Sequence, residues 1–309
     1  MSKVVERLAV IGAGLIGSSV ARAAREKGLA HTVVVTDQSP AVRERVRQLG
    51  FAHLVANSTA EAADDADLII ACVPVGASGA VAAEIAPALK PGAIVSDVGS
   101  VKAAVMEFMA PHIPPHAHLV PAHPVAGTEF SGPDAGFATL FEDRWCIVTP
   151  PADADPAAVE RVTALWRGFG SNVETMSAQH HDLVLAITSH VPHLIAYNIV
   201  GTAAHLEQTL TSEVIKFSAG GFRDFTRIAS SDPTMWRDVF LYNREAVLEM
   251  LGRFTEDLSA LQRAIRYGDG EALFDHFTRT RAIRRSIIEQ GQETAAPDFG
   301  RRPGAPPSQ

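Results

Sequence analysis

Cysteine is almost absent: 309 residues hold two, Cys72 and Cys146, far apart and without metal-ligand spacing. That argues against a disulfide framework or a cysteine-built metal site, and fits a reducing, cytoplasmic setting. Positive charge is also short. Lys and Arg total 27 against 35 Asp and Glu, a formal net charge of −8. The clustered basic residues that a nucleic-acid footprint or a polybasic membrane surface needs are lacking, so neither partner is expected. The uncharged run Leu8 to Ala21 near the N-terminus could pass for the apolar core of a signal peptide. It is too short to span a bilayer, and its three glycines have a better explanation. What remains is an ordinary globular composition, 47% apolar and 20% charged, in a chain long enough for two domains.

Short β-rich runs alternate with helix-like runs through the first half. "RLAVIG" precedes an Ala-rich stretch, "HTVVVTD" precedes "SPAVRERVRQLG", and "ADLIIACV" precedes "GASGAVAAEIAPALK". "GAIVSDV", "AHLVPAH", "RWCIVTP" and "NVETM" continue the series. Continuous apolar strands imply a sheet covered on both faces, so residues 1–176 are expected to form an α/β, Rossmann-type doubly wound sheet. From 177 to 290 the strand signals stop, and an all-α domain is expected. In it Val247, Leu251, Phe254, Leu258, Leu261 and Ile265 recur at alternating steps of four and three. That stripe either packs within its own domain or forms a subunit interface. Residues 291–309 are rich in Pro and Gly, and the expectation is a disordered tail.

The segment "VIGAGLIGSS" places Gly12, Gly14 and Gly17 after a strand and at the start of a helix. In this pattern the first glycine makes a tight turn, the second lets backbone approach a pyrophosphate, and the third allows close helix–strand packing. Leu15 and Ile16 lie in the same turn, whose N–H groups face the phosphates. Asp37 ends the second strand, 20 residues past Gly17, where its carboxylate can bond ribose hydroxyls. It would repel a 2′-phosphate and no arginine follows directly, so NAD is the expected cofactor. The other strand ends should line the same crevice. They carry Val73 and Pro74, Asp97 to Ser100, and His123 before Pro124.

His123 is thus either a polar core residue or a base delivered to the crevice. Ser100 in "DVGSVK" either touches nicotinamide and substrate or caps the helix starting at Val101. Among His180, His181, His190 and His193, the last two stand one helical turn apart. Asp182 and Glu129 are conceivable third ligands, but no recognised metal spacing appears, and no metal is expected. Arg227, flanked by Phe225, Thr226, Ile228 and Ala229, reads as a partly buried guanidinium that needs an anion; Arg223 and Asp224 read as a solvated face.

Together the glycine motif with Asp37, "DVGSVK", "HPVAGTE", "TSHVPHLIA" and "GGFRDFTRIASSDPTMWRD" resemble the prephenate and arogenate dehydrogenases of tyrosine biosynthesis, from about Leu8 to Ile288. The resemblance implies a Rossmann domain followed by a helical dimerisation domain, hence a homodimer. It also implies NAD-dependent oxidative decarboxylation of prephenate to 4-hydroxyphenylpyruvate, with arogenate as a second substrate or the selective one. By that resemblance His123 is the catalytic histidine and Ser100 orients it and the substrate hydroxyl. Arg227 holds the ring carboxylate, and His193, Ser189 and Thr128 surround the substrate. Glu129, Trp166, His181, Asp182, Arg223 and Trp236 fall in a supporting network, although the family often has Lys at the position of Arg223. The fused mutase and regulatory domains of some members are not expected here. A β-hydroxyacid dehydrogenase or imine reductase would share the architecture but typically uses a lysine of the helical domain. Only Lys216 follows residue 102. A non-catalytic NAD-binding regulator fits less well with His123, Ser100 and Arg227 together.

Overall fold

A computed structural model describes residues 3–128, 130–210 and 220–289. Strands β1 (Val5–Ile11), β2 (Ala30–Thr36), β3 (Leu54–Val55), β4 (Leu68–Ala71), β5 (Ile94–Asp97) and β6 (His118–Leu119) form one parallel sheet in the order β3-β2-β1-β4-β5-β6. Side chains of a strand alternate between faces, and here both faces are filled. Leu8, Val10, Val33, Val35, Leu68 and Ile70 enter one core, shared with helices α1 (Leu15–Glu26) and α6 (Pro156–Phe169). Ala9, Ile11, Val34, Ile69, Ala71 and Val95 enter the other, shared with α3 (Thr59–Ala63), α4 (Ser78–Ile85) and α5 (Lys102–Met109). The strand order reverses between β1 and β4, which opens a crevice at their carboxyl ends.

The run His118–His123 is not one strand. It divides into β6, in the large sheet, and β7 (Ala122–Pro124), which pairs antiparallel with β8 (Trp145–Val148); β9 (Asn172–Thr175) completes a second, three-stranded sheet. Pro121 sits at the break, where it offers no N–H and its carbonyl accepts from Thr149. His123 therefore belongs to the small sheet and not, as the continuous apolar run implied, to a strand end of the large one.

Helices α7 (Ala178–Leu185) and α8 (Val191–Leu210) are joined by a π-helical segment, Ala186–His190. The stretch Ala178–His205 is long and apolar enough to cross a membrane by length and composition alone. His181, Asp182 and His190 within it are buried and hydrogen-bonded, as in the core helix of a globular fold. The change to helix at Ala178 is not an edge of the compact unit, which runs to Met250. A second unit starts at Leu251, within the helix Arg244–Tyr267, and also holds the helix Gly270–Glu289. Of the expected stripe, Val247 is buried in the first unit. In the second, Leu251, Phe254 and Leu261 are half-buried, while Leu258 is 52% and Ile265 67% exposed. The tail 291–309 and Lys216 lie outside the described residues.

Candidate active site

The glycine turn is built for backbone approach. Gly12 has φ +95°, and a Cβ there would lie 2.3 Å from the Cys72 carbonyl oxygen. A Cβ on Gly17 would lie 1.9 Å from the Gly12 carbonyl oxygen, so helix and turn touch through backbone. At Gly14 a Cβ would meet nothing within 4 Å, and no side chain caps α1 there. The start of α1 is thus left uncapped by a side chain and open beside Gly14, which suits an anionic pyrophosphate. Leu15 is buried in the core, so only its backbone can serve a ligand, whereas Ile16 packs against the core and stays partly exposed. Asp37 accepts from Ala13 N and Ser39 N, both at 2.9 Å, which fixes its carboxylate beside the turn. Val73 borders Gly12, its Cγ1 3.3 Å from the position of a Cβ there, and Pro74 is exposed at the end of β4. Arg43, six residues after Asp37, donates to the Asp37 and Gln38 carbonyls at 2.7 and 3.2 Å. Sequence spacing hid this cation, because one turn of helix returns it to the strand end.

His123, on β7, is buried, and its Nδ1 lies 2.8 Å from His181 Nε2. His181 Nδ1 lies 2.8 Å from Asp182 Oδ1. A carboxylate only accepts, so His181 carries its hydrogen on Nδ1 and offers the Nε2 lone pair. His123 must then donate from Nδ1, which leaves its Nε2 unprotonated and without an internal partner among the described residues. Burial holds the imidazole of His123 well below its ordinary pKa, and positive charge on His181, Lys102 or His190 would push it further down. Burial also lowers His181, against the opposing pull of Asp182. The outcome is a neutral base with its tautomer set by two further residues.

Asp182 has a second task. Its Oδ1 and Oδ2 accept from Lys102 N and Ala103 N at 2.7 and 2.9 Å, capping α5 from 80 positions away. Ser100 therefore does not cap this helix, as one of its two readings had it. Val101 is the N-cap residue and contributes no side-chain bond. Ser100 is half-buried, and among the described residues its hydroxyl has no hydrogen-bond partner. Lys102, which sequence reasoning passed over, is fully buried; its Nζ donates to Asp97 Oδ2 at 2.5 Å and to the Ala122 carbonyl at 2.8 Å.

Farther along the helical run, His193 stacks on Trp236, ring centroids 3.7 Å apart, and donates from Nδ1 to the half-buried Ser189's carbonyl at 2.8 Å. Burial lowers its pKa and the charge of Arg227 adds to the effect, which puts that half-buried guanidinium near His193. His190 is fully buried, with its pKa pulled to about 4 by burial. Asn243, also missed in the sequence, donates from Nδ2 to the Asp182 carbonyl at 2.8 Å and to His190 Nδ1 at 3.0 Å. His190 must then carry its hydrogen on Nε2, a buried donor with no partner among the described residues, as is Trp236 Nε1.

Other expected members lie elsewhere. Trp166 is core: it points from α6 into a cluster with Phe141 and Phe169, ring centroids 5.2 and 5.3 Å away, under the large sheet. Thr128 is exposed, its hydroxyl accepting from Phe130 N at 3.3 Å, and Arg223 is exposed beside Asp224. Glu129 lies outside the described residues.

Residues 20–175 match the nucleotide-binding domain of prephenate dehydrogenase, and residues 177–279 match its dimerization domain. The chain belongs to the prephenate dehydrogenase family. The cyclohexadienyl dehydrogenase of Zymomonas mobilis is 44% identical over 284 residues, spanning 92% of this chain and 97% of that one. The prephenate dehydrogenase of Bacillus subtilis is 32% identical over 300 residues, spanning 97% and 80%. The crystal structure of prephenate dehydrogenase from Aquifex aeolicus with hydroxyphenyl propionate and NAD+ superposes with a TM-score of 0.84 at 30% identity, covering 93% of this chain and 99% of that one. Family membership makes the chain an oxidoreductase.

Proposed function

We propose that this member of the family is an NAD-dependent, cytoplasmic prephenate dehydrogenase of tyrosine biosynthesis, converting prephenate to 4-hydroxyphenylpyruvate and CO₂. The observation that carries the reading is the chain His123–His181–Asp182, which presents a neutral imidazole lone pair on a family scaffold whose glycine turn is open to a dinucleotide. Gly12, Gly14 and Gly17 would cradle the pyrophosphate and Asp37 the ribose. NAD⁺, when bound, supplies the hydride acceptor.

His123 Nε2 accepts the proton of the ring hydroxyl as that carbon loses hydride. The imidazolium that forms keeps its Nδ1–H on His181 Nε2, and His181 is anchored by Asp182, so the new charge meets an oriented acceptor at once. Ser100, with its hydroxyl free of the helix cap, bonds the substrate hydroxyl and aims it at His123. Arg227 pairs the ring carboxylate, a planar guanidinium against a planar anion. Loss of that carboxylate as CO₂ restores aromaticity, which supplies the driving force. His193, Ser189 and Thr128 border the substrate side chain.

Arogenate is a second substrate on this reading. The support is the 44% identity to a relative named for cyclohexadienyl substrates. The exposed apolar residues Leu258, Ile265, Phe274, Phe277 and Ile283 support a homodimer through the helical region. The deciding experiment is NADH formation with prephenate and with arogenate, each against NAD⁺ and NADP⁺. Turnover of prephenate with NAD⁺ is expected, and turnover of neither substrate would reject the reading.

A further inference from the structure

Lys102 is a fully buried ammonium to which the chemistry above gives no role. It begins α5, Asp97 ends β5, and the loop between them carries Ser100. Its Nζ donates to Asp97 Oδ2 at 2.5 Å and to the Ala122 carbonyl at 2.8 Å, next to His123. Asp97 in turn accepts from Gly99 N at 2.7 Å, inside the Ser100 loop, and from Ala122 N at 3.3 Å. One ion pair thus fastens the end of the large sheet, the serine loop and the histidine strand of the small sheet. Burying both charges is expensive, and an apolar pair of similar size would pack at lower cost. No apolar pair, however, could hold both backbone groups of Ala122.

We propose that Lys102 is a positioning residue, holding the Ser100 loop and the His123 strand in one fixed relation through Asp97 and Ala122. The inference rests on Ser100 and His123 being the acting groups. A second consequence follows from its charge. His123 is faced by His181, Asp182 and His190 from the helical run, Lys102 from α5, Asp97 from β5 and the Cys146 thiol from β8. Of these, the charge on Lys102 opposes protonation of His123, so removing it alone lets the imidazole titrate at higher pH.

The test compares wild type with Lys102→Met and with the double variant Asp97→Asn/Lys102→Met, which removes both charges together. Three quantities are read: steady-state kinetics with prephenate and NAD⁺, NAD⁺ affinity, and the His123 titration by NMR without substrate. The expected result is a fall in kcat of roughly 10–100-fold, the scale of a small misplacement of reacting groups. NAD⁺ affinity and substrate KM should stay within about twofold. The His123 titration should move to higher pH in Lys102→Met, and less so in the double variant, which also loses the Asp97 charge. A folded variant with wild-type kcat, or a folded Lys102→Met with an unmoved titration, overturns the proposal. If neither variant folds, Lys102 belongs to the fold alone, and the proposal is equally overturned. Wild-type turnover of neither substrate would instead refute the parent reading, while the NMR titration still reports on Lys102.

Discussion

Replacing His181 by Phe tests whether the histidine pair works as a relay. His181 is fully buried; it accepts from His123 Nδ1 at 2.8 Å and donates to Asp182 at 2.8 Å. Phe keeps a flat ring but removes the acceptor. In the ground state the loss is a buried N–H without a partner, about 1–3 kcal/mol of stability. In the transition state the same N–H belongs to an imidazolium, and a hydrogen bond to a charged group is worth about 1.5–3 kcal/mol. Only the excess of the second loss over the first slows the step; an excess of about 1–2 kcal/mol, at about 1.4 kcal/mol per tenfold, lowers kcat roughly 5- to 30-fold. Asp182 still caps α5 through Lys102 N and Ala103 N, so the crevice should keep its shape and NAD⁺ its affinity. The assay is initial-rate NADH formation at saturating prephenate, with thermal unfolding and NAD⁺ titration on the same samples. A variant that is folded, binds NAD⁺ and turns over within twofold of wild type would refute the relay.

Gly14→Ala adds a methyl where the protein leaves open space, whereas Gly17→Ala drives one into the Gly12 carbonyl. Calorimetry should show both losing NAD⁺ affinity by about tenfold or more, with only Gly17→Ala losing several degrees of Tm; intact binding in Gly14→Ala would remove the pyrophosphate assignment. Arg227→Ala should raise the prephenate KM by an amount equivalent to about 2–5 kcal/mol, the usual loss when one partner of a buried charge pair is truncated; an unchanged KM rejects its role. His190 titrates near 4 in the folded chain against an ordinary 6.5, so as pH falls below 6.5 the unfolded chain takes up its proton first. Stability from this group is full above that pH and declines towards pH 4 by about 3 kcal/mol in all. His190→Gln should make Tm less steep over that window, and an identical slope would contradict the burial argument. Leu258→Glu with Ile265→Glu should turn a dimer into a monomer in sedimentation at micromolar concentration; wild type sedimenting as a monomer would defeat the interface.

What could be read before folding was local. The glycine turn, Asp37 and the alternation of strand and helix are short-range patterns in which neighbours decide conformation. His123 and Arg227 stood out because polar groups interrupt apolar segments, and Ser100 because it follows a strand end. Contacts between distant positions were invisible. Asp182 capping α5, Asn243 bridging Asp182 and His190, and Lys102 bonding Ala122 join residues 80, 61, 53 and 20 apart, and no spacing rule reaches so far. Pro121 was the available sign that His118–His123 changes sheets, masked by the apolar residues on either side. Trp166 was assigned by likeness to relatives, whereas its own helix face, shared with Val162, Leu165 and Phe169, marks it as core.

The π-helical segment Ala186–His190 sets an angular offset. An α-helix advances about 100° per residue, so one additional residue in a turn rotates everything beyond it by about that angle. His181 and Asp182 precede the segment, whereas His193 follows it. Shortening the segment by one residue would restore regular pitch while swinging His193 away from the Trp236 ring, leaving the proton-accepting half of the site intact. Indels here, more than substitutions, would thus uncouple substrate recognition from proton transfer.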